Sequence, residues 1–338
     1  IGGFGGKSDL LATCQTYTGD PGCYQKNAAY LDAVTPSKMK ATFAKWIDDT
    51  PYVLTILPTD KYSVGETDLD RSAGIPFPTE KVEFQFPTLQ TATLSNGAKV
   101  VLAQRKGVPL VEMNFQFNFG YAQENNDELG YTNFMMGMLN EGTKKYSSLE
   151  FDEVLDSLGS NLGFGSGLDT SVATLSSLKA NLSQTLDLAK EALINPTFPE
   201  KEIERIKKET LAGIIQEENR PASIAYRNIG KLLYGDDHPY GKPLTGSGIS
   251  ETISSITRAN IMDVHSRAIN SAHLTFAVAG DIEMEELVDL LESKFGDWSA
   301  NSDSGLKALT TVELPDNRTI YLIDKPNAQQ SYIVAGQL

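Results

Sequence analysis

The sequence predicts an α+β fold made of repeated units, each a mostly antiparallel sheet with helices packed on one side. Three observations predict it. A helix-then-strand pattern occurs twice without a gap, an Asn-Gly pair separates two alternating apolar runs, and strand-like and helix-like segments segregate along the chain.

The repeat is the first. Val34-Thr35-Pro36 through Trp46-Ile47 has the spacing of an amphipathic helix, and residues 52–57 follow as a strand. Ile256-Thr257-Arg258 through Ala268-Ile269, then residues 274–279, repeat it at a constant offset. Val34 pairs with Ile256, Thr35 with Thr257, Met39 with Ile261, Ile47 with Ile269 and Leu54 with Phe276. Chance agreement of two helix–strand pairs is the competing reading, and the absence of gaps tells against it. One unit therefore ends near residue 60 and a similar one near residue 280.

Between them, residues 61–87 are polar and hold Gly65, Gly74, Pro76, Pro78 and Pro87, the composition of a linker or hinge. The unit that follows, residues 88–300, opens with strands at 90–94 and 99–103 around Asn96-Gly97, a strong hairpin signal. A strand at 110–119 comes next, then helices at 128–140 and 148–158, the second capped by Ser147 or Ser148. Strands at 161–166 and 170–178 precede a helix at 181–194 that stops before Pro196. Helices at 199–218 and 222–234 complete the helical part. Residues 301–338 are expected to begin a further unit, with strands at 319–323 and 331–335, cut off at Leu338.

At 338 residues the chain is long enough for more than one domain. Its 40% hydrophobic and 22% charged residues are those of a soluble globular protein. No apolar run approaches the roughly eighteen residues of a membrane span. The opening Ile1-Gly2-Gly3, without an initiator Met, reads as the middle of a longer protein. A net charge of −15 argues against a nucleic-acid partner and suits basic or neutral peptides, or serves solubility alone. Cys14 and Cys23 flank a Thr-Gly-Asp-Pro-Gly turn. Bridged, they imply an oxidising compartment such as a bacterial periplasm, and the other reading is two free thiols. Two cysteines without nearby His make a poor zinc site.

The segment Gly130-Tyr131-Thr132-Asn133-Phe134-Met135-Met136-Gly137-Met138-Leu139-Asn140-Glu141-Gly142-Thr143 resembles the zinc-motif helix of the insulinase/pitrilysin metallopeptidases. Those enzymes carry the inverted motif His-x-x-Glu-His inside Gly-Leu-x-His-Phe-Leu-Glu-His-Met-Leu-x-x-Gly-Thr. Gly130, Phe134, Met138, Leu139, Gly142 and Thr143 match that frame. The motif's first His falls on Asn133, its Glu on Met136 and its second His on Gly137. Further pieces recur in family order: Tyr17-Thr18-Gly19-Asp20-Pro21, Val34-Thr35-Pro36, Leu94-Ser95-Asn96-Gly97, Asn195-Pro196 with Phe198-Pro199, His238-Pro239-Tyr240-Gly241 and Ile323-Asp324-Lys325-Pro326.

The resemblance implies a tandem arrangement in which one half is catalytic and the other degenerate. The family's third zinc ligand, a more distant Glu, falls on Gly213, so all four positions lack the required side chain. Residues 1–60 would close the preceding unit, and residues 88–300 would be a complete degenerate one. No metal is expected in this segment, and zinc is expected in an N-terminal catalytic half of the same chain. The three histidines, His238, His265 and His273, show no i, i+4 pair to replace the motif. Glu217 and Glu218 offer a carboxylate pair, but a charged helix end is far more often a solvated face. Gly163, Phe164, Gly165 and Ser166 match a sheet edge in the family's chamber wall, which can take a peptide as an added strand. Glycines at a bulge or close contact are the alternative there.

The expected role is thus the wall, peptide-binding and closing half of a zinc-dependent, bacterial, extracytoplasmic peptidase, inactive by itself. Its partners would be a peptide substrate and the catalytic half. Two rivals share the fold: a wholly non-catalytic assembly protein, and an inactive subunit paired with a separate active chain. The repeat before residue 60 argues against the second.

Overall fold

The computed structural model describes residues 4–47, 54–55, 87–298, 306–309, 311–312, 319–326, 328 and 330–338. The chain divides into two compact units, Ile1–Phe86 and Pro87–Leu338.

In the first unit, three helices are described: α1 (Phe4–Thr18), α2 (Cys23–Asp32) and α3 (Pro36–Trp46). Cys14 in α1 and Cys23 at the start of α2 form a disulfide, their Cα atoms 5.4 Å apart. They are the only buried residues described in this unit. α3 begins as its sequence requires: the Thr35 hydroxyl accepts from the Lys38 amide and Pro36 takes the first helical position, where no N–H is needed. The strand expected at 52–57 and the linker at 61–86 lie outside the described residues, apart from Leu54 and Thr55, which are in no strand.

The second unit is a six-stranded sheet with helices on its buried face. Its strands are β1 (Leu89–Thr93), β2 (Lys99–Gln104), β3 (Leu110–Phe117), β4 (Asn161–Ser166), β5 (Ser171–Leu178) and β6 (Leu274–Gly280). Their order is β1-β2-β6-β3-β5-β4, with β2 and β6 parallel and every other pair antiparallel. Alternation assigns the faces. Val111, Met113, Phe115 and Phe117 of β3 point inward, and Glu112, Asn114 and Gln116 stay exposed on the opposite, polar face. Phe115 stacks edge-on to Phe276 of β6 at 5.1 Å and to Phe295 at 5.6 Å. Full burial of each such ring contributes about 2 kcal/mol.

Phe295 closes α11 (Met284–Phe295), which packs beside α6 (Leu182–Ile194). The remaining helices are α4 (Tyr131–Gly137), α5 (Ser148–Ser157), α7 (Glu200–Glu217), α8 (Pro221–Tyr234), α9 (Ser250–Ser255) and α10 (Arg258–Ala268). α10 repeats α3 down to its cap: the Thr257 hydroxyl accepts from the Asn260 amide, and Asn260 returns a bond to the Thr257 backbone.

Three expectations are corrected. The helix expected at 128–140 is only seven residues long, because Gly130 has φ +92° and turns the chain sharply before α4. The strands expected at 319–323 and 331–335 are absent: those residues are described as irregular chain with Ile320, Leu322 and Ile333 largely exposed. A strand needs a neighbour to satisfy its backbone, and none lies beside them among the described residues. Helices α1, α2, α9 and α11 were not among the expected elements.

Candidate functional site

α4 is set in place from its N-terminal end by a buried carboxylate. Glu124 accepts the Gly130 amide at 2.9 Å and the Thr132 amide at 2.6 Å, satisfying donors that the helix start leaves free. Lys242, also buried, donates to the main-chain carbonyl of Glu124, as does Lys307 at 2.6 Å. Burial pushes the Glu124 carboxyl up to about 7, against the pull of those two amides and of Lys242. Burial likewise pushes the Lys242 ammonium down to about 8.

The four positions onto which the zinc ligands and base were expected to fall, three on α4 and one on α7, have separate environments. The Asn133 carboxamide is fully engaged: Nδ2 donates to the Gly246 carbonyl at 3.1 Å, and Oδ1 accepts the Ser166 amide at 3.0 Å. Met136 is completely buried in the apolar core. Gly137 ends the helix, exposed, with open space where a Cβ would stand. Gly213 lies within α7, which packs against α4, and it too faces open space. This set does not fit a zinc ion. Asn133 has both polar atoms committed, Met136 is no base, and glycine has no ligating side chain. Among the described residues, no group of three or more His, Cys, Asp or Glu is placed to hold a metal.

Two of the three histidines are engaged elsewhere. His238 stacks on Tyr234 at 5.0 Å and accepts the Tyr240 amide through Nδ1. His265 Nε2 donates to the Leu193 carbonyl at 2.8 Å, and burial lowers its pKa.

Glu217 corrects the reading of a solvated helix end. Arg227 Nη1 pairs with its carboxylate at 2.7 Å, and Ser247 Oγ donates to the same oxygen at 2.7 Å. Arg227 Nη2 also donates to the Gly248 carbonyl at 2.8 Å. This network anchors the 245–248 loop, whose Gly246 has φ +69° and would drive a Cβ into Asn133 and Tyr121. Neither Glu124 nor Arg227 carries a local sequence signal. Glu124 stands six residues ahead of Gly130, beyond capping spacing, and Arg227 reaches its loop across twenty residues.

Gly163, Phe164, Gly165 and Ser166 lie in β4, which pairs with β5 on one side and forms an edge of the sheet. The structure thus brings Asn133 and Ser166 together, along with the loop at Gly246.

Residues 99–246 match the family model described as Insulinase (Peptidase family M16), and residues 255–338 match Peptidase M16 inactive domain. The chain is 26% identical over 202 residues to an uncharacterized zinc protease of Rickettsia felis, covering 60% of this chain and 48% of that one. It is 23% identical over 229 residues to the mitochondrial-processing peptidase subunit beta of Mus musculus, covering 68% and 46%. The chain therefore spans about half the length of the curated relatives it matches. The peptidase M16 inactive domain from Pseudomonas fluorescens superposes with a TM-score of 0.60 at 28% identity, over 68% of this chain and 54% of that one. The periplasmic protease PqqL from Escherichia coli shares the fold with a TM-score of 0.60 at 20% identity, over 69% and 26%. Two models of one family thus match well over half of the sequence, and the chain belongs to the insulinase (M16) peptidase family.

Proposed function

We propose that this chain is the non-catalytic half of a zinc-dependent peptidase, with the zinc held by a catalytic half outside the segment. The observation that carries this reading is the fate of the four zinc-motif positions. Asn133 is spent on backbone hydrogen bonds, Met136 on the core, and Gly137 and Gly213 offer no side chain.

In this reading residues 88–300 form one degenerate unit whose polar sheet face lines a peptide chamber. Residues 1–60 complete the preceding unit, residues 61–87 act as the hinge for closure, and residues 301–338 begin the next unit. The open edge at Gly163, Phe164, Gly165 and Ser166 takes an extended peptide as an added strand. The edge position of β4 supports that role. A periplasmic or other extracytoplasmic bacterial setting is supported by the Cys14–Cys23 bridge and by the likeness to a periplasmic protease.

The test compares peptide hydrolysis by the parent protein with and without residues 61–338. The proposal expects at least a tenfold loss of kcat/KM on deletion, with zinc content unchanged. Full activity after deletion rejects the role. A parent that hydrolyses no peptide in either form favours the assembly-protein reading instead.

A further inference from the structure

The open edge of β4 is not free along its whole length. At the β4–β5 turn the Gly167 amide donates to the Thr170 carbonyl at 2.7 Å. Antiparallel pairs alternate, so Gly165 and Gly163 direct both backbone groups toward β5, opposite Val172 and Thr174. Ser166, Phe164 and Leu162 direct theirs toward the edge. The bond from the Ser166 amide to Asn133 agrees independently with this phase.

We infer that Asn133 is a positioning residue that fills the last hydrogen-bonding slot of this edge. An added strand then pairs with Leu162 and Phe164 and stops short of the Ser166 amide. This rests on the reading of β4 as the peptide-accepting edge. The carboxamide suits the task because one planar group carries an acceptor for Ser166 and a donor for Gly246. Aspartate keeps the acceptor alone, and leucine keeps neither. The Gly246 bond matters because it ties the end of the edge to a loop already anchored by Arg227 and Glu217. The side chain at the first motif position thus sets where a bound strand ends.

The test is residue-resolved amide exchange on the whole chain, first without peptide. Asn133→Leu speeds exchange at Ser166 at least tenfold and leaves Ala173, inside the sheet, unchanged. Asn133→Asp keeps Ser166 slow, since its carboxylate still accepts, even though it offers no donor to the Gly246 carbonyl. Should the leucine variant unfold, the aspartate variant still decides: exchange at Ser166 as fast as in an unpaired loop overturns the inference. Unchanged exchange at Ser166 in a folded leucine variant overturns it as well.

The second arm adds a capped Lys-Val-Thr-Val-Thr-Val-Lys peptide, chosen as an extended, basic strand for an acidic protein. In the unaltered chain it slows Leu162 and Phe164 without changing Ser166, and in Asn133→Leu the slowing extends to Ser166. Equal extension in both proteins overturns the register stop. A peptide that leaves Leu162 and Phe164 unprotected rejects β4 as a binding edge and the register stop with it. The occupied slot at Ser166 is judged by the peptide-free exchange alone, so the two failures are distinguishable.

Discussion

Glu124 and Lys242 are buried together beside the start of α4, the lysine donating to the main-chain carbonyl of the glutamate. Glu128, Arg267 and Lys307 complete the charged surroundings. Their burial makes this corner of the unit pH-sensitive. The Glu124 pKa is raised from 4.5 to about 7, so the folded protein binds that proton more tightly than the unfolded chain. Its stabilising contribution is full below pH 4.5 and is lost as pH rises through 7. Lys242 is lowered from 10.5 to about 8, so its contribution is full above pH 10.5 and is lost as pH falls through 8. The pair therefore contributes least near pH 7 to 8. Glu124→Gln removes the first contribution and, with the carboxylate's attraction gone, lowers the Lys242 pKa further. Between pH 5 and 7.5, urea unfolding is expected to show the parent losing stability relative to the variant, by on the order of 3 kcal/mol at most. A gap that stays constant with pH would mean that Glu124 is ionised throughout.

The open space at Gly137 and Gly213 leaves room to build a zinc site at the positions proposed to have lost one. Asn133→His and Gly137→His place two imidazoles four residues apart on one helix face, and Gly213→Glu supplies a carboxylate from α7. After incubation with excess zinc and desalting, mass spectrometry is expected to find about one zinc per triple variant and a negligible amount in the unaltered chain. One stoichiometric zinc in the unaltered chain would show that the real site lies elsewhere. No zinc in the triple variant would show that these three positions do not converge.

Gly213 has no ligand duty and no steric need for glycine, yet it sits in the interior of an eighteen-residue helix. Glycine there costs backbone entropy without return. Gly213→Ala is expected to raise stability by about 0.5–1 kcal/mol, read as a higher urea midpoint with an unchanged slope. A loss of stability would reveal a packing constraint at this point of α7.

What the sequence made legible was local. The inward run Val111, Met113, Phe115 and Phe117 follows strict alternation, and the strand is where that pattern lies. Thr35 and Thr257 occupy equivalent places in the repeat and cap equivalent helices. α11 is an element the sequence reading missed, although Leu287, Leu291 and Phe295 recur every four residues on its buried face. α1 carries no such signal, because its apolar residues make no stripe. The start of α4 depends on Gly130 meeting the backbone of Gly248, and no window around residue 130 contains that contact. The same holds for Asn133. Its place in the resembled motif drew attention to it, but its partners Ser166 and Gly246 lie 33 and 113 residues away.

The first unit puts a different weight on covalent chemistry. Among its described residues only Cys14 and Cys23 are buried, whereas Tyr17, Tyr30, Leu31, Phe43 and Trp46 are exposed. α1 and α2 have 15 and 10 residues, near or below the length at which an isolated helix holds in water. With so little apolar burial, the bridge carries much of the local order. Closing a loop of 9 residues removes unfolded-state entropy equivalent to about 2–3 kcal/mol. A thiol titration of the denatured chain is expected to find no free thiol before reduction and two after. Reduction, or Cys14→Ser with Cys23→Ser, is expected to speed amide exchange across residues 4–32 at least tenfold while β3 stays protected. If exchange over 4–32 is indifferent to reduction, contacts other than the bridge hold α1 and α2 together.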